Sequence, residues 1–257
     1  MCELFGITGT KEITANAYLK EFFSHSRKHP NGWGIAVFQG NEVRLEKEPI
    51  EASKSLYLKE RLRRPLIVEN MFAHIRFATR GQMEYCNSHP FVEKDRTGRT
   101  WTLIHNGTIF HCPAFNPYVF TQSGQTDSER ILLYVIDEIN KQTEVNGGML
   151  NSSQRFSVID RIQQEITPQN KVNLLLYDGE LMYVHINYKD SLYKKQDGNS
   201  LILSTQPLDR GAWEPIPLNC PEGYCNGQLL YTGTNHGNEY FEKPEDMKHL
   251  FLDYSGL

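Results

Sequence analysis

No stretch of the 257 residues approaches the run of about 18 apolar residues that a membrane-spanning helix needs, so no membrane partner is expected. The start lacks a basic region ahead of an apolar core, and Lys11 and Glu12 break it early, so a secretory signal is not expected either. Patterned positive charge is also missing. The 27 Lys and Arg stand against 31 Asp and Glu, for a net charge of -4, and no basic stripe offsets that balance. Nucleic acid is therefore excluded as the expected partner, and Arg61, Arg63 and Arg64 read as a solvated helix end. Cysteine is scarce: five residues, at 2, 86, 112, 220 and 225, an odd number without dense spacing. That excludes a disulfide scaffold and fits reduced thiols in a cytoplasmic protein. Cys220 and Cys225 lack the second pair that would complete a zinc site, and they read as structural thiols. Internal repeats and low-complexity linkers are absent, so a single domain over 1–257 is expected.

What is present is a regular alternation of element signals. Leu4, Phe5 and Ile7 read as an N-terminal strand that wants burial. Residues 15–28 carry Ala15, Leu19, Phe22 and Phe23 at helical spacing, and HPNG stops them. WGIAVFQGNEVRLEKE reads as a hairpin turning at Gly40-Asn41. Met71 to Thr79 reads as a buried strand, and Thr100 to His105 as another that ends at an Asn106-Gly107 turn. The spacing of Ile131, Leu132, Val135, Ile136 and Ile139 predicts a helix from Asp127 to Gln142, capped by Thr126 or Asp127. A second helix is predicted from about Phe156 to Ile166, with 143–155 as an internal loop. VNLLLYDGELMYVHIN is a hairpin around Asp178-Gly179, and SLILSTQPL and GQLLYTG add strands. Strands flanking a pair of helices predict an α+β fold with antiparallel sheets packed together and helices outside.

Few residues stand out chemically, and Cys2 comes first. Removal of Met1 would leave a thiol and a free α-amine on one residue. Their ordinary pKa values, roughly 8.5 and roughly 7.7–8.0, make proton exchange between them nearly balanced at neutral pH. Nucleophile and general base then share one residue; the alternative is a small hydrophobe in a buried strand. The Asn106 side-chain amide and the Gly107 backbone N–H could serve a developing oxyanion, or the dipeptide could be an ordinary hairpin turn. Arg76, inside an apolar strand, must pair with a structural carboxylate or meet a substrate carboxylate. Asp127 is either a helix cap or the partner of a substrate ammonium. His89, in NSHPF, is placed near the pocket as a wall or loop-orienting residue. His74, His105 and His111 with Cys112 show no metal-ligand spacing, and no metal is expected.

Taken together, MCELFGI, HPNGWGIAVF, FAHIRFATRG, NSHPF, LIHNGTI and GQTDSER resemble the class II glutamine amidotransferase domain, a group of N-terminal-nucleophile hydrolases. NLLLYDGELMYVH and LILSTQPL resemble its stand-alone, YafJ-like branch. The resemblance implies a four-layer αββα sandwich without a cofactor. It implies that Cys2 attacks the side-chain amide of glutamine, releases ammonia and forms a γ-glutamyl thioester that water hydrolyses to glutamate. Asn106 and Gly107 match the oxyanion donors, Arg76 the residue for the α-carboxylate, Asp127 the one for the α-amine, and His89 a loop histidine near the pocket. A separate synthase subunit would accept the ammonia, and this branch suggests a homodimer. Two alternatives accompany this reading: a γ-glutamyl peptide hydrolase acting on glutathione-like thiols, and a catalytically silent binding or regulatory module. Residues from about 208 to 233 would complete the sandwich. About 240–257 would form a terminal extension, with Leu250, Phe251, Leu252 and Tyr254 packing on the domain or on a partner.

Overall fold

A computed structural model describes residues 2–243. The expected loss of Met1 and the packing of Leu250, Phe251, Leu252 and Tyr254 lie outside the described residues.

From the N-terminal end run β1 (Glu3–Gly9), β2 (Ile13–Thr14), α1 (Asn16–Ser24), β3 (Trp33–Gln39), β4 (Glu42–Glu48), α2 (Leu56–Arg61), β5 (Ile67–Val68) and β6 (Asn70–Ile75). Then come β7 (Phe91–Lys94), β8 (Thr100–Thr108), α3 (Asp127–Asn146) and α4 (Ser152–Ile166). The last part holds β9 (Lys171–Tyr177), β10 (Met182–His185), β11 (Tyr193–Asp197), β12 (Ser200–Ser204), β13 (Glu214–Pro215), β14 (Glu222–Cys225) and β15 (Gln228–Thr232). One large sheet has the order β13-β11-β12-β1-β6-β3-β4, the second β15-β14-β10-β9-β8-β7, β2 and β5 form a small two-stranded sheet, and every pairing is antiparallel.

Three apolar clusters show how these elements stack. Phe5, Ile7, Met71 and Ala73 pack outward against Leu19 and Phe22 of α1. Leu103, Leu174 and Leu176 pack outward against Ile131, Val135 and Ile159 of α3 and α4. Between the sheets lie Leu4, Phe72 and Leu203 from one side and Ile104, Leu175 and Val184 from the other. The result is α+β in four layers, αββα, because each strand alternates its side chains between an inner and an outer core. Gly6 belongs to the inner set of β1; a Cβ there would come within 2.9 Å of Leu175 on the facing sheet, so glycine lets the layers close.

Several boundaries differ from the sequence expectation. The stretch 143–155 is not a long loop. Helix α3 runs on to Asn146 and ends where Gly147 takes a left-handed φ of 69°. Helix α4 begins at Ser152, because Asn151 and Gln154 form a capping box. Thr126, not Asp127, caps α3, with its hydroxyl accepting from the Glu129 N–H at 3.2 Å. Strand β6 ends at Ile75, which places Arg76 just beyond it.

The Asn106-Gly107 turn is also corrected. Strand β8 continues to Thr108, with Asn106 opposite Asn173 and Gly107 opposite Val172 on β9. A two-residue hairpin turn would need φ > 0, and Gly107 is not among the residues that have it. Its small size serves another purpose: a Cβ would stand 1.9 Å from the Lys171 carbonyl oxygen.

Candidate active site

Strand parity assembles the site. Just ahead of β1, Cys2 continues the alternation of Leu4 and faces the second sheet; on β8, Asn106 follows Ile104 and faces the first. On β9, Lys171 follows Leu175 inward. At this end of the inner core the alternation passes from apolar to polar. A cavity of about 40 Å³ opens there, room for about three waters. Cys2, Asn106, Gly107 and Lys171 line it together with Phe77, Thr79, Thr108 and Phe110. Tyr240 and Glu242, from the segment after β15, close one wall.

Cys2 is fixed by the strand beside it. Its sulfur accepts from the Phe77 N–H at 3.3 Å and lies 3.4 Å from the Phe77 carbonyl, an acceptor for the thiol proton. Burial pushes the thiol pKa up; the Phe77 N–H and the Arg76 charge pull it down, and Asp127 pushes it up. Two buried histidines near the site are bonded to other groups. His105 bonds through Nδ1 to the Ser128 hydroxyl at 2.9 Å and through Nε2 to the Lys171 carbonyl at 3.3 Å. Burial pushes His74 down to about 3 and lowers His105, so both rings are neutral at pH 7. Lys171 is buried, and burial pulls its ammonium down to about 8 while Glu242 and Cys2 favour its charge. Its Nζ stands 3.9 Å over the Tyr188 ring, and the Tyr188 hydroxyl donates to Glu242 at 3.4 Å.

Residues 1–198 match the family described as glutamine amidotransferases class-II. The chain belongs to the class II glutamine amidotransferases. It is 35% identical to the uncharacterized protein MJ1515 of Methanocaldococcus jannaschii, over 90% of this chain and 71% of that one. Its identity to Escherichia coli YafJ, named as a glutamine amidotransferase, is 28% over 72% of each chain. Solved structures agree in fold. A predicted glutamine amidotransferase from Pseudomonas aeruginosa PA01 gives a TM-score of 0.60 at 19% identity, covering 90% of this chain and 100% of that chain. The glutamine phosphoribosylpyrophosphate amidotransferase of B. subtilis gives 0.64 at 15% identity; the match covers 89% of this chain but 48% of that one.

In this class II amidotransferase the remaining residues singled out from sequence sit outside the cavity lining. Arg76 is buried, and three of its hydrogen bonds go to carbonyls of the loop that follows it. Nη1 donates to the Gln82 carbonyl at 2.9 Å, and Nη2 donates to the carbonyls of Arg80 at 2.7 Å and Gly81 at 2.9 Å. Asp127 accepts from the Ile109 N–H at 2.7 Å and the Ser128 N–H at 3.0 Å. It thereby ties the end of β8 to the start of α3. The His89 ring lies tilted by 32° against that of His74, ring centroids 4.0 Å apart, and His89 is not in the cavity lining. Neither ring nitrogen of His89 has a protein partner among the described residues, and burial holds its pKa well below the ordinary histidine value.

Sequence reading missed Lys171, Tyr240 and Glu242. For Lys171 a signal existed: in KVNLLLY it shares parity with Asn173 and Leu175, so a half-buried strand would carry it inward. Tyr240 and Glu242 carried none, because they reach the cavity through an irregular return of the chain.

Proposed function

We propose that this chain, trimmed of Met1, hydrolyses the side-chain amide of glutamine, with Cys2 as nucleophile and its own α-amine as base. One observation carries the reading: the Cys2 thiol, held at the head of a buried strand, shares a small cavity with Asn106 and Gly107 from the facing sheet. The amine takes the thiol proton as sulfur bonds to the amide carbon. The C=O electron pair moves to oxygen, where the Asn106 amide and the Gly107 N–H stabilise it. Collapse of that adduct expels ammonia, which leaves with the proton returned by the amine, and forms the γ-glutamyl thioester. Water then attacks the thioester carbon, the carbon–sulfur bond breaks, and glutamate and the free thiol result.

The reading assigns the substrate α-carboxylate to Arg76 and the α-ammonium to Asp127. For Arg76 this means trading the carbonyls of residues 80–82 for the carboxylate, so that loop shifts as glutamine binds. The reading takes glutamine, ahead of glutathione-like peptides, as the substrate. The ammonia would pass to a separate synthase subunit. Steady-state measurement of glutamate release by Met-trimmed protein tests the proposal: turnover that disappears in Cys2→Ala supports it. Absence of turnover in correctly trimmed, folded protein sinks it.

A further inference from the structure

The segment after β15 returns past the end of the second sheet, where β10 finishes and β9 begins, and brings Tyr240 and Glu242 to the cavity. Its backbone is pinned at several points. The His236 N–H donates to the Asn219 carbonyl at 3.1 Å, and the Tyr240 N–H to the Asn187 carbonyl at 2.7 Å. Asn187 also donates its side-chain amide to the Asn238 carbonyl at 3.0 Å. None of these bonds can change with protonation. Beside them lies one that can: His236 Nε2 stands 2.9 Å from His185 Nε2.

The proton positions in that pair follow from the outer partners. His185 Nδ1 is 2.8 Å from the Val172 carbonyl, which only accepts, so Nδ1 carries the hydrogen and Nε2 of a neutral ring is an acceptor. His236 Nδ1 is 3.0 Å from the Asn238 N–H, which only donates, so Nδ1 accepts and Nε2 carries the hydrogen. The Thr167 hydroxyl, which donates to the Gln163 carbonyl at 2.7 Å and accepts from the Asn238 amide at 3.1 Å, lies 3.5 Å from His236 Nδ1, farther than the Asn238 N–H at 3.0 Å, so the shorter contact sets the tautomer. The four groups form a one-way chain: Asn238 N–H to His236, His236 to His185, His185 to the Val172 carbonyl. Val172 follows Lys171 on β9, so the chain joins two walls of the same cavity.

We infer that His236 and His185 are positioning residues, a neutral pair of opposite tautomers that sets where Tyr240 and Glu242 stand on the cavity wall. The inference adds to the glutaminase reading and rests on it only for its kinetic readout. A proton added to His236 would put two hydrogens between Nδ1 and the Asn238 N–H. One added to His185 would put two between the Nε2 atoms. Charged and titratable groups facing the pair act in opposite directions. Asp160, from α4, favours charge on His236; His105, from β8, disfavours it on His185. Burial dominates and depresses both rings. The link is therefore complete above the ordinary histidine pKa of about 6.5, and it is lost as pH falls toward the lower folded values.

Two measurements on the full chain test this. Imidazole nitrogen-15 spectra at pH 7.5 should show His236 protonated at Nε2 and His185 at Nδ1. Identical tautomers, or a charged ring, overturn the inference whether or not the protein hydrolyses glutamine. The second measurement compares His236→Phe, which cannot make the link, with His236→Gln, whose amide can still donate toward His185 without titrating. In His236→Phe the KM for glutamine should rise roughly five-fold at pH 7.5, the loss of about one buried hydrogen bond, while kcat changes less. Wild-type KM should climb below about pH 6.5, and His236→Gln should flatten that climb. Backbone amides of 238–242 should exchange faster in His236→Phe than in wild type, with His236→Gln between them. Equal exchange in all three proteins overturns the inference. Failed hydrolysis with crossed tautomers and graded exchange defeats the glutaminase reading alone.

Discussion

The backbone N–H of Phe77 donates to the sulfur of Cys2 at 3.3 Å, across the β1–β6 pairing that sets Glu3 opposite Ile75. The Cys2 sulfur is thereby located by strand register. Replacing Cys2 by alanine should leave the strand and the melting temperature nearly unchanged and reduce glutamate release to background. A glutamine-like epoxide or diazoketone should add its mass at position 2 in trimmed protein, and glutamine should suppress the labelling. Labelling elsewhere, or none, would remove Cys2 from its role.

Burial raises the Cys2 thiol pKa, which fixes the sign of a pH experiment. The folded state favours the neutral thiol, so its contribution to stability is complete below the ordinary thiol pKa of about 8.5 and declines as pH rises through the folded value. In protein that retains Met1, alkylation of Cys2 by iodoacetamide should keep accelerating above about pH 8.5. A plateau reached near pH 7 contradicts that assignment.

Asn106→Ala should lower kcat on the order of 10²–10³-fold with little change in KM, as expected for a donor used chiefly in the transition state. A variant with unchanged kcat and raised KM would make Asn106 a substrate-binding group instead.

Arg76 holds three loop carbonyls with one planar fork, and a lysine cannot reproduce that geometry. Arg76→Lys should raise KM at least about tenfold, the scale of a charge-assisted hydrogen bond. It should also speed proteolysis within 80–82. If proteolysis changes but KM does not, Arg76 organises the loop without meeting the substrate.

Gly107→Ala places a methyl group 1.9 Å from the Lys171 carbonyl in a paired strand. The overpacking should cost about 1–3 kcal/mol and lower the melting temperature by about 2–10 °C. An unchanged melting curve would mean that β8 and β9 separate more easily than their pairing implies.

The sequence alone determined strands β1, β3, β4, β6, β8, β9, β10, β12 and β15, the principal helices and the hairpin turns at Gly40-Asn41 and Asp178-Gly179. It also placed Cys2 at the head of a buried strand. These depend on local periodicity and turn chemistry, which neighbouring residues set. Its errors arose where a local signal had a second physical use. Gly107 looks like a turn glycine because both a tight turn and a close backbone approach exclude a Cβ. The stretches 143–146 and 152–155 look like loop because they lack apolar periodicity, yet they continue α3 to its Gly147 cap and begin α4 at its Asn151–Gln154 capping box. Tertiary structure alone decided that Cys2, Asn106 and Lys171 converge and that Tyr240 and Glu242 close the wall. Alternation tells which residues of one strand share a face; which strand that face meets depends on how the two sheets stack.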